Sequence, residues 1–300
     1  MVVQVAENPT EVLFAGYKFK RDMFVSDMAW YKFTHSLPMK EEDFVRKVHP
    51  LTNSVYYTMY FLLNLEMVDW ATIVISGQKR SGKSLFMVWL SAVLRELFNK
   101  GVTFNFRPRD GSFEHQEGFG DYFYLTEQSL LDENVRLSLT ADRMDPHQLT
   151  EQVESLTKDY SLYNHCIGLD EARKWLGKYK QNGRIAQVLT ELKDLAGHYH
   201  NIFLYSMPNA LEELGRYTVL NDRTHEVRAS FNTDYYGCAT YSIKHMNSGK
   251  IRWMHLSAKK FGYMWNSWNL IGMSKPITAK QLKDAQRRAM GDLEEYKGDN

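Results

Sequence analysis

Four residues define the chemistry open to this chain. Gly77, Gly82, Lys83 and Ser84 satisfy the pattern G-x-x-x-x-G-K-[ST] inside the run ATIVISGQKRSGKSLFM, residues 71–87. Glycine at those two places lets the backbone curl until successive N–H groups point inward. The positive end of a following helix adds to them, and the result is a concave anion site. Lys83 brings a mobile positive charge for the β- and γ-phosphates of a nucleotide, and the Ser84 hydroxyl is a ligand for Mg2+. Gly77, Gln78, Lys79, Arg80, Ser81, Gly82, Lys83, Ser84 and Leu85 are therefore the candidate cradle, with ATP and Mg2+ as its ligands.

A second stretch, HCIGLDEARKWLGKYK at residues 165–180, runs from apolar Ile167 and Leu169 into Asp170 and Glu171. An apolar strand that ends in an acidic pair, in one domain with a phosphate-binding loop, is the Walker B pattern. Asp170 would hold Mg2+ through its water shell, and Glu171 would orient and polarise the attacking water. Just beyond it lies a basic cluster, Arg173, Lys174, Lys178, Lys180 and Arg184, which suits either contact with nucleic-acid phosphates or a solvated helix face. His115 stands between Glu114 and Glu117 in a polar, Gly-rich run, but no second His or Cys stands at ligand spacing, so it reads as a solvated loop.

These groups need elements to carry them. Ile73, Val74 and Ile75 form a strand that leads into the loop, and residues 85–98 form a helix apolar on nearly every side. A helix from Pro50 to Met67 precedes the strand, and strands follow at 102–106, 122–125 and 202–205. Residues 223–268 alternate aromatic and polar side chains, as in strands and hairpins with Asn247-Ser248-Gly249 as a turn. The interleaved Tyr, Trp, Lys and Arg would also suit stacking on single-stranded nucleic acid. The whole reads as an α/β fold with a mainly parallel central sheet. Residues 1–50 are an arm or cap, 51–275 the ATPase domain and 276–300 a charged helical tail.

Composition sets the outer limits. The chain has 300 residues with 18 Tyr, 16 Phe and 7 Trp, which argues against disorder, and a net charge of +1, so any grip on nucleic acid rests on a local patch. Cys166 and Cys238 lack a metal-ligand spacing and read as free thiols in a reducing compartment. Asn64, Glu66 and Asp69 interrupt the apolar run at 55–68 before it could span a bilayer, and the amino terminus lacks a signal-peptide pattern. The expectation is a cytoplasmic protein.

A glutamate directly after the Walker B aspartate resembles the ASCE division of P-loop NTPases, whose members insert an extra strand between the Walker A and Walker B strands. That resemblance implies a polar sensor where the strand at 202–205 ends, with Ser206 or Asn209 as the candidates; Asn209 equally suits a helix cap. Over residues 70–268 the order of elements resembles the FtsK/HerA-type motor ATPases, in particular the zonular-occludens-toxin-like and viral genome-packaging members. Those proteins often carry glutamine after the sensor strand, where this chain has Ser206-Met207. The resemblance implies a homo-oligomeric, often hexameric, ring that translocates or packages DNA, with a viral capsid or portal component as a further partner. It also implies an arginine that reaches a neighbouring subunit's nucleotide: Arg223, with Arg216 and Arg228 as alternatives. A P-loop kinase of a nucleoside or small metabolite, and an assembly or secretion ATPase, are the competing readings. No N-K-x-D motif or L-S-G-G-Q-like run favours a GTPase or an ABC-type ATPase.

Overall fold

The computed structural model describes residues 9–37, 39–52, 55–67, 70–106, 122–124, 163–172, 189–190, 192–194, 196–208, 222–232 and 238–257. Its centre is strand β3 (Ala71–Gly77), buried at every residue up to Ser76. Burial on both faces is why this strand reads as an almost unbroken apolar run. On one side it pairs in parallel with β8 (His225–Asn232), and on the other with β7 (Ile202–Pro208). Beyond β7 come β6 (His165–Leu169), β4 (Gly101–Phe104) and β5 (Tyr122–Tyr124), all parallel. Beyond β8 come β9 (Cys238–His245) and β10 (Ile251–Ser257), both antiparallel. The order is β10-β9-β8-β3-β7-β6-β4-β5, so β7 lies between the loop strand and the acidic strand.

Helix α4 (Lys83–Phe98) follows the loop and buries ten side chains from Leu85 to Leu97, among them Phe86, Trp89 and Leu94. It stops at Asn99, which adopts a left-handed φ of 53° and donates its amide to Arg95 O at 2.8 Å. Helix α3 (Val55–Met67) covers the meander from the same side: Thr58 Oγ1 donates to Met254 Sδ at 3.7 Å, and the Arg252 guanidinium lies 5.1 Å from the Tyr60 ring centre. Before it, the hairpin of β1 (Glu11–Phe14) and β2 (Tyr17–Lys20) leads to α1 (Asp27–His35) and α2 (Glu41–Val48). Phe14, Phe19, Phe24, Trp30, Phe33 and Phe44 form an aromatic cluster there, tied to α4 through Phe44 and Phe98. The Asn64 side chain of α3 accepts the Val25 amide at 2.9 Å.

Several boundaries differ from the sequence expectation. Residues His49–Leu51 form a separate 3-10 turn, and α3 starts only at Val55. Strand β4 ends at Phe104 rather than at 106, and Asn105, just past it, turns its side chain to the backbone of Asp170. Strand β7 runs on through Pro208 and β8 through Asn232. The hairpin turn at residues 246–249 closes with His245 N donating to Lys250 O at 2.9 Å. The expected loop around His115, the basic cluster from Arg173 to Arg184, Asn209, Arg216 and the carboxy-terminal tail lie outside the described residues. Among the described residues no helix is long and apolar enough to cross a membrane.

His225 opens β8 in full burial, edge-on to Phe61 and 5.1 Å from the His245 ring. Burial first, and the neighbouring His245 second, push its pKa down to about 3. The folded protein therefore keeps this imidazole neutral, while the unfolded chain protonates it below about pH 6.5. The unfolded state binds the extra proton, so stability falls as pH drops through the window from 6.5 toward 3. Between pH 7.5 and 5 this group alone removes about 2 kcal/mol. Guanidinium midpoints at those two pH values should show the loss in the wild type and a smaller loss in His225→Phe.

Candidate nucleotide site

The loop between β3 and α4 is shaped by its two glycines. Gly77 has φ +151° and Gly82 has φ +93°, conformations that side chains with a Cβ rarely adopt. Space is short as well. A methyl at Gly77 would overlap the Ala229 carbonyl oxygen and the Ser81 hydroxyl, and one at Gly82 would come within 2.9 Å of the Tyr241 hydroxyl. Ser81 N donates to Gln78 O at 3.2 Å, which closes the turn through Lys79 and Arg80. The loop thus delivers the first turn of α4, with its unpaired N–H groups, to the carboxyl edge of the sheet. The Lys83 ammonium donates to the carbonyls of Gly77, at 2.9 Å, and Gln78, at 2.8 Å. Desolvation lowers its pKa, while Asp170 and Glu171 pull the other way and favour the charged form.

The parallel register brings the acidic end of β6 to the same edge. Leu169 lies beside Tyr205, so Asp170 falls next to Ser206, and Ile75 pairs with Ser206 from the other side. Ser84 Oγ donates to Asp170 Oδ2 at 2.8 Å. Ser206 Oγ donates to Asp170 Oδ1, the Glu171 amide donates to the same oxygen at 3.1 Å, and that amide also reaches Ser206 Oγ at 3.1 Å. Ala172 N donates to Ser206 O at 2.9 Å. Ser206, expected as a sensor of phosphate or water, places its hydroxyl on the acidic pair. Glu171 itself sits exposed at φ +50°, a strained backbone for a residue with a Cβ, and strain of this kind persists only where neighbours enforce it.

Hydroxyl and carboxylate oxygens within hydrogen-bond reach of each other are the hard donors Mg2+ prefers, and Ser84 with Asp170 supplies such a pair. The fit is to a nucleotide-borne ion, whose remaining ligands come from phosphate and water. No group of three or more His, Cys, Asp and Glu side chains able to form a protein cage occurs among the described residues.

Two contributors were not foreseen from sequence. Asn105, 2% exposed, clamps Asp170 by its backbone: its Nδ2 donates to Asp170 O at 3.0 Å and its Oδ1 accepts Asp170 N at 2.8 Å. In sequence Asn105 reads only as a polar position in the alternation of Val102, Phe104 and Phe106. Tyr241 of β9 donates to Gly82 O at 3.0 Å, and burial pushes its phenol pKa up, so it stays a donor. No local pattern announces it. Arg223 lies elsewhere, at the amino end of β8, where its guanidinium grips Glu226. Since Ile73 pairs with His225, Arg223 is at the far end of the sheet from the loop of its own chain.

No family model matches the chain, and no curated protein matches it in sequence. Solved structures do. The cytoplasmic domain of the type VII secretion ATPase EccC from Thermomonospora curvata aligns at 13% identity and a TM-score of 0.40, over 62% of this chain and 24% of that one. A KaiC-like protein from Pyrococcus horikoshii OT3 aligns at 13% identity and a TM-score of 0.39, over 62% of this chain and 83% of that one. This chain therefore spans about a quarter of the length of the EccC domain. The fold is read from the sheet itself. A G-x-x-x-x-G-K-S loop on the central strand, an intervening parallel strand, and an acidic pair at the same edge make this an α/β P-loop NTPase fold.

Removing the Asn105 clamp should be felt twice. Asn105→Ala leaves the buried Asp170 backbone groups without partners, which costs about 2 kcal/mol in denaturant unfolding. It should also weaken the Mg2+ dependence of nucleotide binding while leaving metal-free binding nearly intact, as read by titration calorimetry. Tyr241→Phe deletes one neutral hydrogen bond and should cost about 1 kcal/mol, with nucleotide affinity falling in parallel.

Proposed function

We propose that this chain is an ATP-hydrolysing nucleic-acid translocase that works as a homo-oligomeric ring, of the genome-packaging type its sequence resembles. The observation that carries the hydrolytic part is the convergence of Lys83, Ser84, Asp170 and Glu171 on one edge of the sheet, with Ser84 and Asp170 2.8 Å apart. Lys83 and the α4 amides neutralise the phosphate charge, and Asp170 with Ser84 presents oxygens to the ion. Mg2+ would be held at Ser84 and Asp170 and would supply Lewis-acid stabilisation of the charge that develops in transfer. Glu171, its backbone fixed by Ser206, is the carboxylate that orients and polarises water for in-line attack.

The nucleic-acid part rests on the sequence resemblance and the local basic character of the chain. The placement of Arg223 is compatible with action in trans, since from the far end of the sheet it does not face its own loop. To act on a neighbour's nucleotide it must exchange Glu226 for phosphate.

Lys83→Ala should abolish nucleotide binding, whereas Glu171→Gln should bind ATP and lose turnover by at least about a hundredfold. ATPase rates with and without DNA supply the wider test: the translocase reading expects stimulation. Turnover that ignores DNA and needs a small phosphate acceptor would replace it with a kinase. Separately, subunits bearing Arg223→Ala and subunits bearing Lys83→Ala should each be inactive alone and regain activity when mixed. Full activity of Arg223→Ala alone, or no recovery in rings shown to be mixed, removes Arg223 from the trans role.

A further inference from the structure

Strands β8, β9 and β10 have two unlike faces. Tyr241, Ile243, Met254 and Leu256 point into the core beneath α3 and α4, with Phe86 4.8 Å from the Tyr241 ring. The opposite face follows from the register. Trp253 stands across from Ser242, and Ser242 from Arg228; Ile251 stands across from Lys244; His255 stands across from Thr240, and Thr240 from Ser230.

On this outer face Trp253 is 55% exposed and Ile251 48%. Trp253 has no ring contact among the described residues, although an indole is normally packed when it sits on a sheet. Its neighbour directly across, Ser242, and the diagonal Thr240 are short, which leaves that side of the indole open. Arg228 is exposed and Lys244 half-buried, and neither makes a hydrogen bond or ion pair with a described residue. Strand spacing puts Arg228 about 10 Å from Trp253, and Lys244 one strand away on the adjacent row. Glu226 is the single acid in the three strands; it stands across from Lys244 on this same face, where it is buried and already held by Arg223. The face is therefore an open aromatic surface flanked by Arg228 and Lys244, with its one acid already engaged by Arg223.

We infer that this face binds single-stranded nucleic acid, with a base stacked on Trp253 and phosphates held by Lys244 and Arg228. The inference rests on the translocase reading above and adds the form of the strand and its seat. Charge selects a polyanion. The free indole selects an unpaired base, because a duplex buries its base faces in the stack, while any unpaired base has a π-face to offer. A second copy docked through a two-fold contact would bring the unpaired cations against their own images, which disfavours it. The row of Trp253, Ser242 and Arg228 continues to Ser76, the residue before Gly77, so the strand would lie one β-strand away from the nucleotide loop.

The test uses the full chain, without ATP, and fluorescence anisotropy of a labelled oligothymidine of about 20 nucleotides, long enough to cover the face. Trp253→Ala and Trp253→Leu should weaken binding by about tenfold, and Trp253→Phe should keep it within about threefold. Lys244→Gln should reduce the salt slope by about 0.7, one phosphate contact to a single strand. ATPase activity without nucleic acid should be unchanged in the Trp253 and Lys244 variants, which also shows that they fold. The inference is overturned if Trp253→Ala binds like wild type, if Trp253→Leu equals the wild type so that apolar bulk and not stacking matters, or if Trp253→Ala instead abolishes self-association. Nucleic-acid binding that ignores Trp253 defeats the platform alone; binding to neither oligothymidine nor duplex defeats the translocase reading with it.

Discussion

The site depends on how one buried carboxylate is satisfied. Asp170 is 7% exposed, and an ionised group so far out of water is tolerated only when its oxygens are occupied. Its partners come from three elements: Ser84 on the first turn of α4, Ser206 on β7, and the adjacent Glu171 amide. The hydrogen bonds that satisfy the Asp170 oxygens are therefore also the ones that fix helix, acidic strand and intervening strand at a common edge. Asn105 adds a fourth element by holding the Asp170 backbone from the end of β4. Charge burial and site assembly are the same event here.

The sheet order makes that possible. With β7 between β3 and β6, Ile75 and Leu169 lie against neighbouring residues of one strand, Ser206 and Tyr205. A hydroxyl at position 206 can then reach the acidic pair while its strand supports the loop strand on the other side. Were β3 and β6 directly paired, no third strand would stand between them to orient Glu171, and its strained backbone at φ +50° would lose its restraint.

Whatever is local in sequence was legible there. The loop glycines, Lys83 and Ser84 sit within eight residues, Asp170 and Glu171 are adjacent, and the apolar runs at β3, α4 and β7 follow from period and length alone. The contacts that tune the site were not legible, because they join residues 65 positions apart for Asn105 and Asp170, and 159 apart for Tyr241 and Gly82. At the end of β4 such a contact adds to strand pairing: Asn105 keeps its amide on Gly168 O at 3.2 Å while its side chain holds the Asp170 backbone. Ser206 shows the same limit. Its place at the end of β7 was readable, but its partner was not.

The meander adds a mechanical consequence of the two-residue period of a strand. Adjacent residues on β9 face opposite ways, so Tyr241 reaches inward to the Gly82 carbonyl while Ser242 floors the row that carries Trp253 and Arg228. Gly82 is the residue whose left-handed φ starts α4, and no side chain could take its place without striking Tyr241. The strand that floors the outer face is therefore the strand that holds the loop, and its inner side is packed against Phe86. Besides the ladder from Arg228 to Ser76, the outer face is thus joined to the nucleotide loop through one phenolic hydrogen bond.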